Sequence, residues 1–211
     1  MAQIKMSKKA TSIDMTAMCD VAFLLLTFFI LTATAKVPEP ITVDTPSSTN
    51  KTKLPSDKLV VVTVGSGKEN IFFDLKGRDL RRKTLELMAD KYKLSFTEDE
   101  KSQFVIMESF GVPIESLSGL LKLSPGDRRK PGTQVGIPFD SINDNKNNQL
   151  KDWIYTARQA NIELSPDKEL FFAIKGDAKL QYPKIKNVMD ILQDQKINQF
   201  DLVTGLRDKD Y

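Results

Sequence analysis

One block limits what this chain can become: VAFLLLTFFILTATA, from Val21 to Ala35, contains no charged residue. As a helix its roughly 15 residues reach about 22 Å, short of the ~30 Å hydrocarbon layer of a bilayer. Lys36, Pro38 and Pro40 close it on the C-terminal side, because proline removes a helix donor and restricts the residue before it. A spanning helix must therefore draw on residues ahead of Val21. Starting at Met15 gives about 21 residues and about 31 Å, which places Asp20 inside the membrane zone.

A cleaved secretory signal fits part of this pattern, with Lys5, Lys8 and Lys9 as its basic start and Ala33-Thr34-Ala35 as its cleavage site. Against it, Asp14 and Asp20 lie between the basic residues and the apolar run. A charge near a helix centre costs about 3 kcal/mol in a bilayer, and a disposable signal gains nothing from that. A retained anchor is the better reading. Lysines before the segment outnumber the one just after it, so the positive-inside bias predicts a cytoplasmic segment over 1–14, a membrane helix over 15–35 and export of the remainder.

Composition narrows the chemistry of that remainder. The chain has no histidine and one cysteine, Cys19, so the exported part has no thiol to misoxidise. Cys/His zinc sites, Ser-His-Asp and Cys-His nucleophiles, haem and iron-sulfur ligation and an intrachain disulfide framework all drop out. No enzymatic activity, metal or cofactor is expected. Lys+Arg 31 against Asp+Glu 28 leaves a net charge of +3, without the basic excess that marks a nucleic-acid binder.

Helical phase singles out Asp20. At 100° per residue Thr16, Asp20, Thr27 and Thr34 fall within about 40° of one another, a polar stripe on a Leu, Phe and Ile cylinder. A threonine can bond back to its own helix carbonyls, and Thr32, off the stripe, is read that way. A carboxyl group at Asp20 must be protonated or must face a partner or a watery cavity. One helix makes no cavity alone, so the stripe predicts a multisubunit membrane complex.

Beyond the helix, residues 36–57 are rich in Pro, Thr and Ser and read as an extended linker in which only Ile41 to Asp44 suits a strand. LVVVTV (Leu59–Val64) and IFFDL (Ile71–Leu75) flank GSGKEN as a hairpin. Gly65-Ser66-Gly67 lacks the Lys-Ser/Thr of a phosphate loop and is read as a turn. Gly77 precedes a helix over Asp79–Tyr92 with Leu80, Leu85, Met88, Ala89 and Tyr92 on one face. Thr97 and Glu100 form a capping box ahead of a helix through Phe104, Met107 and Glu108, and Pro113 opens another that buries Ile114, Leu117, Leu120 and Leu121. SPGDRRKPGT and FDSINDNKNN read as loops, with Arg128, Arg129 and Lys130 solvated; Asp140 and Asp144 lack the Gly and Glu of a calcium loop. From Gln149 a helix carries Leu150, Trp153, Ile154 and Ala157, LFFAIK is a strand, Tyr182-Pro183 starts a helix with Ile185, Val188, Met189 and Leu192, and FDLVT is a final strand. The predicted class is α+β: one membrane helix, a linker, and a small mixed domain over 58–211 of order β-β-α-insertion-α-β-α-β, the helical insertion lying at about 95–148.

IDMTAMCDVAFLLLTFFILTA resembles the single membrane helix of the ExbD/TolR family of biopolymer-transport proteins. Ile13, Thr16, Asp20 and Val21 match the family pattern, while Asp14 and Ala17 stand where Asn and Pro are usual. AIKGDAKLQYPKIKNVMDILQDQKINQFDLVT is similar to the end of the family's exported domain, matching at Asp177, Tyr182, Val188, Met189, Asp190 and Leu192, with Asp177 and Tyr182 as fold residues. The resemblance implies that Asp20 carries the proton and that the stripe of Thr16, Thr27 and Thr34 lines a pore. It also implies partners: an ExbB/TolQ-like multispanning pentamer, a second copy of this chain, and a TonB-like protein in the periplasm. The implied role is the proton-pathway and force-transmitting subunit of an inner-membrane motor that energises outer-membrane transport. A TolR-like part in envelope maintenance and a tethered periplasmic binding module are the alternatives.

Overall fold

The computed structural model describes residues 15–33, 41, 43–48, 54–65, 70–139, 148–178 and 180–206. Expectations for residues 1–14, for Thr34 and 36–40, for the middle of the GSGKEN turn, and for Asp140 and Asp144 lie outside them. Two compact units divide the chain, Met1–Pro38 and Glu39–Tyr211.

The first unit contains helix α1, Met15–Thr32. The Ala33 N–H extends it by one bond, to the Phe29 carbonyl at 2.9 Å. Its 18 residues span about 27 Å. None is buried, and apolar side chains project on every side, up to Leu31 at 85% exposed. A helix apolar all round needs hydrocarbon or other helices as its solvent.

The second unit runs through β1 (Ser47–Ser48), β2 (Leu59–Val64), β3 (Ile71–Leu75), α2 (Arg78–Tyr92), α3 (Glu98–Ile106), β4 (Ser109–Phe110), α4 (Ile114–Lys122), α5 (Gln149–Leu164), β5 (Phe171–Gly176), α6 (Tyr182–Asp194), β6 (Asp201–Val203) and β7 (Gly205–Leu206). Five strands make one sheet in the order β4-β3-β2-β5-β6. β2 and β3 form the expected antiparallel hairpin, Val60 opposite Leu75 and Val64 opposite Ile71, closed by Gly65 N–H to the Asn70 carbonyl at 2.7 Å. β2 and β5 pair in parallel from Leu59↔Phe171 to Val64↔Gly176, as do β5 and β6. Parallel neighbours need a crossover, and α6 supplies it between the last two. Side chains alternate along a strand, so Val60, Val62, Val64, Ile71, Phe73, Leu75, Phe172 and Ile174 join Leu85, Met88, Leu150, Ile154, Val188 and Leu192 of α2, α5 and α6 in one core.

The segment 95–148 is built into this core. β4 adds to the free edge of β3, with Phe110 opposite Phe73 and Ser109 opposite Asp74, and Ile137 N–H continues the edge to the Ile71 carbonyl at 2.9 Å. The helix expected through Glu108 ends at Ile106, because Met107 turns extended and the chain enters β4. Gly111 is held so close to β3 that a Cβ there would stand 2.5 Å from the Phe72 ring. Trp153, fully buried, is the meeting point: its ring lies 4.9 Å from Phe110, 5.9 Å from Phe104 and 6.0 Å from Phe73, centroid to centroid.

Polar contacts fix the same region. The capping box is present, with Thr97 N–H to Glu100 at 2.9 Å and Glu100 N–H to the Thr97 hydroxyl at 3.3 Å. Arg81 of α2 is buried and donates to Asp74 at 2.6 Å and to the Leu75 and Glu108 carbonyls. Burial lowers its pKa from the usual arginine value, and Asp74 opposes that shift. Gln149 accepts from Ile114 N–H at 2.8 Å, so the first residue of α5 caps α4. Arg128 departs from the solvated-loop reading: it is buried and donates to the Leu120 and Leu121 carbonyls at 3.1 and 2.6 Å, closing the C-terminal end of α4. Its neighbours Arg129 and Lys130 are exposed as expected.

The linker reading also shifts. The pairing falls on β1, whose Ser47 and Ser48 lie parallel to Gly205 and Leu206 of β7, three residues beyond the stretch expected to pair. Ala178 N–H donates to the Asp44 carbonyl at 2.7 Å and Gly205 N–H to the Pro46 carbonyl at 2.9 Å. Residues 44–48 therefore lie docked across the ends that follow β5 and β6.

Trp153→Ala will destabilise the second unit by about 3–5 kcal/mol, read as a fall in urea midpoint. The indole N–H is buried without an acceptor, so Trp153→Phe, which removes it, will cost less than about half of that. The Ser118 hydroxyl at 2.5 Å and the Thr97 N–H hold the Glu100 carboxyl below the usual glutamate value. Its folded value lying below the unfolded one, its contribution is complete above about pH 4.3 and fades as the pH falls through the folded value. Glu100→Gln will thus be less stable than the parent at pH 7, and the gap will narrow toward pH 3.

Candidate functional site

The sequence places its candidate residues on α1, and three of the four are described. Asp20 lies in the second turn, exposed, the only charged residue of Met15–Thr32. Thr16 is four residues before it and Thr27 seven after, offsets that put all three on one side of the helix and spread them over about 16 Å of its length. Thr34, the fourth, lies outside the described residues.

The threonine chemistry is more local than the stripe alone suggests. Thr27 donates its hydroxyl to the Leu24 carbonyl at 2.9 Å. Thr32 donates to the Phe28 carbonyl at 2.7 Å, as expected for a residue off the stripe. Both therefore satisfy their protons within the helix, the usual solution for a hydroxyl in an apolar environment. What Thr27 offers a neighbour is its oxygen, as an acceptor on the side that carries Asp20. Apart from the exposed Cys19 thiol, the rest of the surface is Met, Ala, Val, Leu, Phe and Ile, which hold no exchangeable proton and, beyond the weak thioether acceptor of Met, accept no hydrogen bond.

Among the described residues no group of three or more His, Cys, Asp and Glu gathers to hold a metal ion. In the second unit Asp177 follows β5 and its carbonyl accepts from Leu180 N–H at 2.9 Å. Tyr182 opens α6 with its ring exposed, while Val188 and Leu192 are fully buried beneath. These positions build the β5-α6-β6 crossover.

One helix long and apolar enough to cross a membrane, carrying a single carboxylate, precedes a small α+β unit in the chain. The family model described as biopolymer transport protein ExbD/TolR matches residues 6–206, and the chain belongs to that family. Its members are non-enzymatic, inner-membrane-associated energy-transduction subunits of biopolymer transport, and they generally work with ExbB/TolQ and TonB/TolA partners. No curated protein and no solved structure matches the chain.

Since Thr27 and Thr32 each bond to their own backbone, Thr27→Val and Thr32→Val will leave the helix content and membrane insertion of the protein unchanged, measured by circular dichroism in micelles and by carbonate extraction.

Proposed function

We propose that the chain is the proton-carrying and force-transmitting subunit of an ExbB–ExbD type motor, using proton motive force to energise TonB-dependent outer-membrane transport. The observation that carries this reading is Asp20, the sole charge on an 18-residue helix whose every other face is apolar or self-satisfied. A carboxyl group in that position is tolerated when protonated, or when ionised against water or donors from other helices. Residues 1–14 then lie in the cytoplasm, 15–35 span the membrane inside a pentamer of multispanning subunits beside a second copy of this helix, and the domain stands in the periplasm.

The mechanism follows from the two states of one group. Protonated, Asp20 is neutral and its face is compatible with an apolar wall. Ionised, it requires the hydroxyl-lined or watery side of the pore. Each proton gained and lost therefore exchanges the preferred surroundings of that face, so the helix turns or shifts against its neighbours. Thr16 and Thr27 provide acceptor oxygens about one turn before and two turns after the carrier. The linker passes the motion to the periplasmic domain, where a TonB-like partner receives it.

Asp20→Asn fixes the neutral state. The complex will assemble, and proton flux and energised uptake will fall by roughly 100-fold or more, the scale expected for loss of a proton-transfer group. Asp20→Glu will keep partial flux, Thr27→Val will slow it, and Thr32→Val, on another face, will leave it unchanged. Uptake restored in an uptake-deficient host supports the ExbD-like role, whereas repair of envelope integrity alone supports the TolR-like one. Full flux in Asp20→Asn defeats the proposal.

A further inference from the structure

At the end of the second unit where β5 begins, α5, β5 and the turn after α6 enclose a groove of about 330 Å³, a size at the lower end of ligand sites and enough for one or two side chains. Its floor is apolar, with Phe172 and Ile197 buried and Phe171 and Ile162 standing exposed at the walls. Three cations line it: Arg158 from α5, Lys168 from the turn before β5 and Lys196 from the turn after α6. None of the three has a carboxylate partner among the described residues, although Lys83, Lys91 and Lys151 around the same helix are each paired, with Glu163, Asp152 and Asp194. Arg158 makes one hydrogen bond, to the Gln195 carbonyl at 2.7 Å. Glu169 is the single carboxylate of the lining.

Two further features favour an extended peptide over a simple anion. Asn161, 95% buried by its 5% exposure, donates to the Lys168 carbonyl at 2.7 Å and leaves its own oxygen buried without a donor, an acceptor suited to a backbone N–H. The β5–β6 ladder begins only at Ala173↔Asp201, so Phe171 and Phe172 stand ahead of it with no strand partner on that side.

We infer that this groove docks a short extended segment of a partner protein bearing an apolar side chain flanked by carboxylates. The apolar side chain enters between Phe172 and Ile197, and the carboxylates meet Arg158, Lys168 and Lys196. Charge complementarity of this kind sets specificity and association rate more than raw affinity. The inference goes beyond the ion pathway and stands apart from it, since the docking needs neither Asp20 nor a membrane potential.

The test uses the full chain in zwitterionic nanodiscs and the fluorescein-labelled peptide acetyl-Glu-Glu-Leu-Phe-Glu-Glu-amide, followed by anisotropy. Saturable binding is expected, weakened about tenfold or more in Lys168→Glu/Lys196→Glu and weakened by raising salt from about 50 to about 300 mM. A peptide with Ser-Gly in place of Leu-Phe, and one with Lys in place of each Glu, will bind at least about tenfold more weakly. Both lysines are exposed, so the double variant will keep the parent's circular dichroism and urea midpoint. Arg158→Gln provides an independent variant should that one fail to fold. Absence of saturable binding, equal binding by the variants or by the Lys peptide, or retention of anionic vesicles with no response to peptide, each overturns the inference. Asp20→Asn binding the peptide like the parent is expected whatever the fate of the proton-pathway reading.

Discussion

Trp153 is the residue on which the second unit closes. It sits on α5, yet its ring meets Phe73 from the hairpin, Phe104 from α3 and Phe110 from β4. Three stretches of chain far apart in sequence, at Phe73, at Phe104 to Phe110 and at Trp153, thus share one buried surface, and aromatic side chains of this size dominate core energetics. The stretch 95–148 is therefore no appendage. It supplies two of the four rings, covers the β3 edge that would otherwise present unpaired backbone groups, and cannot be lifted away without opening the core.

Polar satisfaction tells the same story. Taking α3, β4 and α4 into the interior buries helix ends and strand edges whose backbone groups need partners. Arg81 reaches from α2 to the Glu108 carbonyl, Gln149 caps the start of α4 and Arg128 closes its end. Each comes from an element other than the one it completes. Removing Asp74 would leave the buried Arg81 guanidinium without its carboxylate, so these contacts fix one arrangement rather than merely adding stability.

The order of elements was readable because hydrophobic period and capping are local. Leu80, Leu85 and Met88, the Thr97–Glu100 box, the Pro113 start and the Gln149 start all appear where the spacing puts them. β4 was not readable: two residues between helices carry no period, and what makes them a strand is the vacant edge of β3. Arg128 read as solvated because its run of charges is typical of loops, and only the turn brings it beneath the carbonyls of α4. On the helix, Asp20 was conspicuous as a lone charge in an apolar run, whereas the inward bond of Thr27 depends on a rotamer that sequence does not specify. Arg158, Lys168 and Lys196 belong to no motif, since three separate elements bring them to one groove.

The docked strap at residues 44–48 has a mechanical consequence. It is held by a two-residue ladder and a pair of flanking hydrogen bonds, while β2 is locked to β5 over six residue pairs within the core. Were the chain ahead of residue 44 pulled, the attachment with fewer strand pairs would yield first, so the strap would peel while the sheet stayed intact. The tether to β2 would then lengthen by roughly 15 residues, 44–58, with a contour of about 50 Å. Such an attachment sets two reaches for one domain, a short one while two strand pairs hold and a longer one after they part.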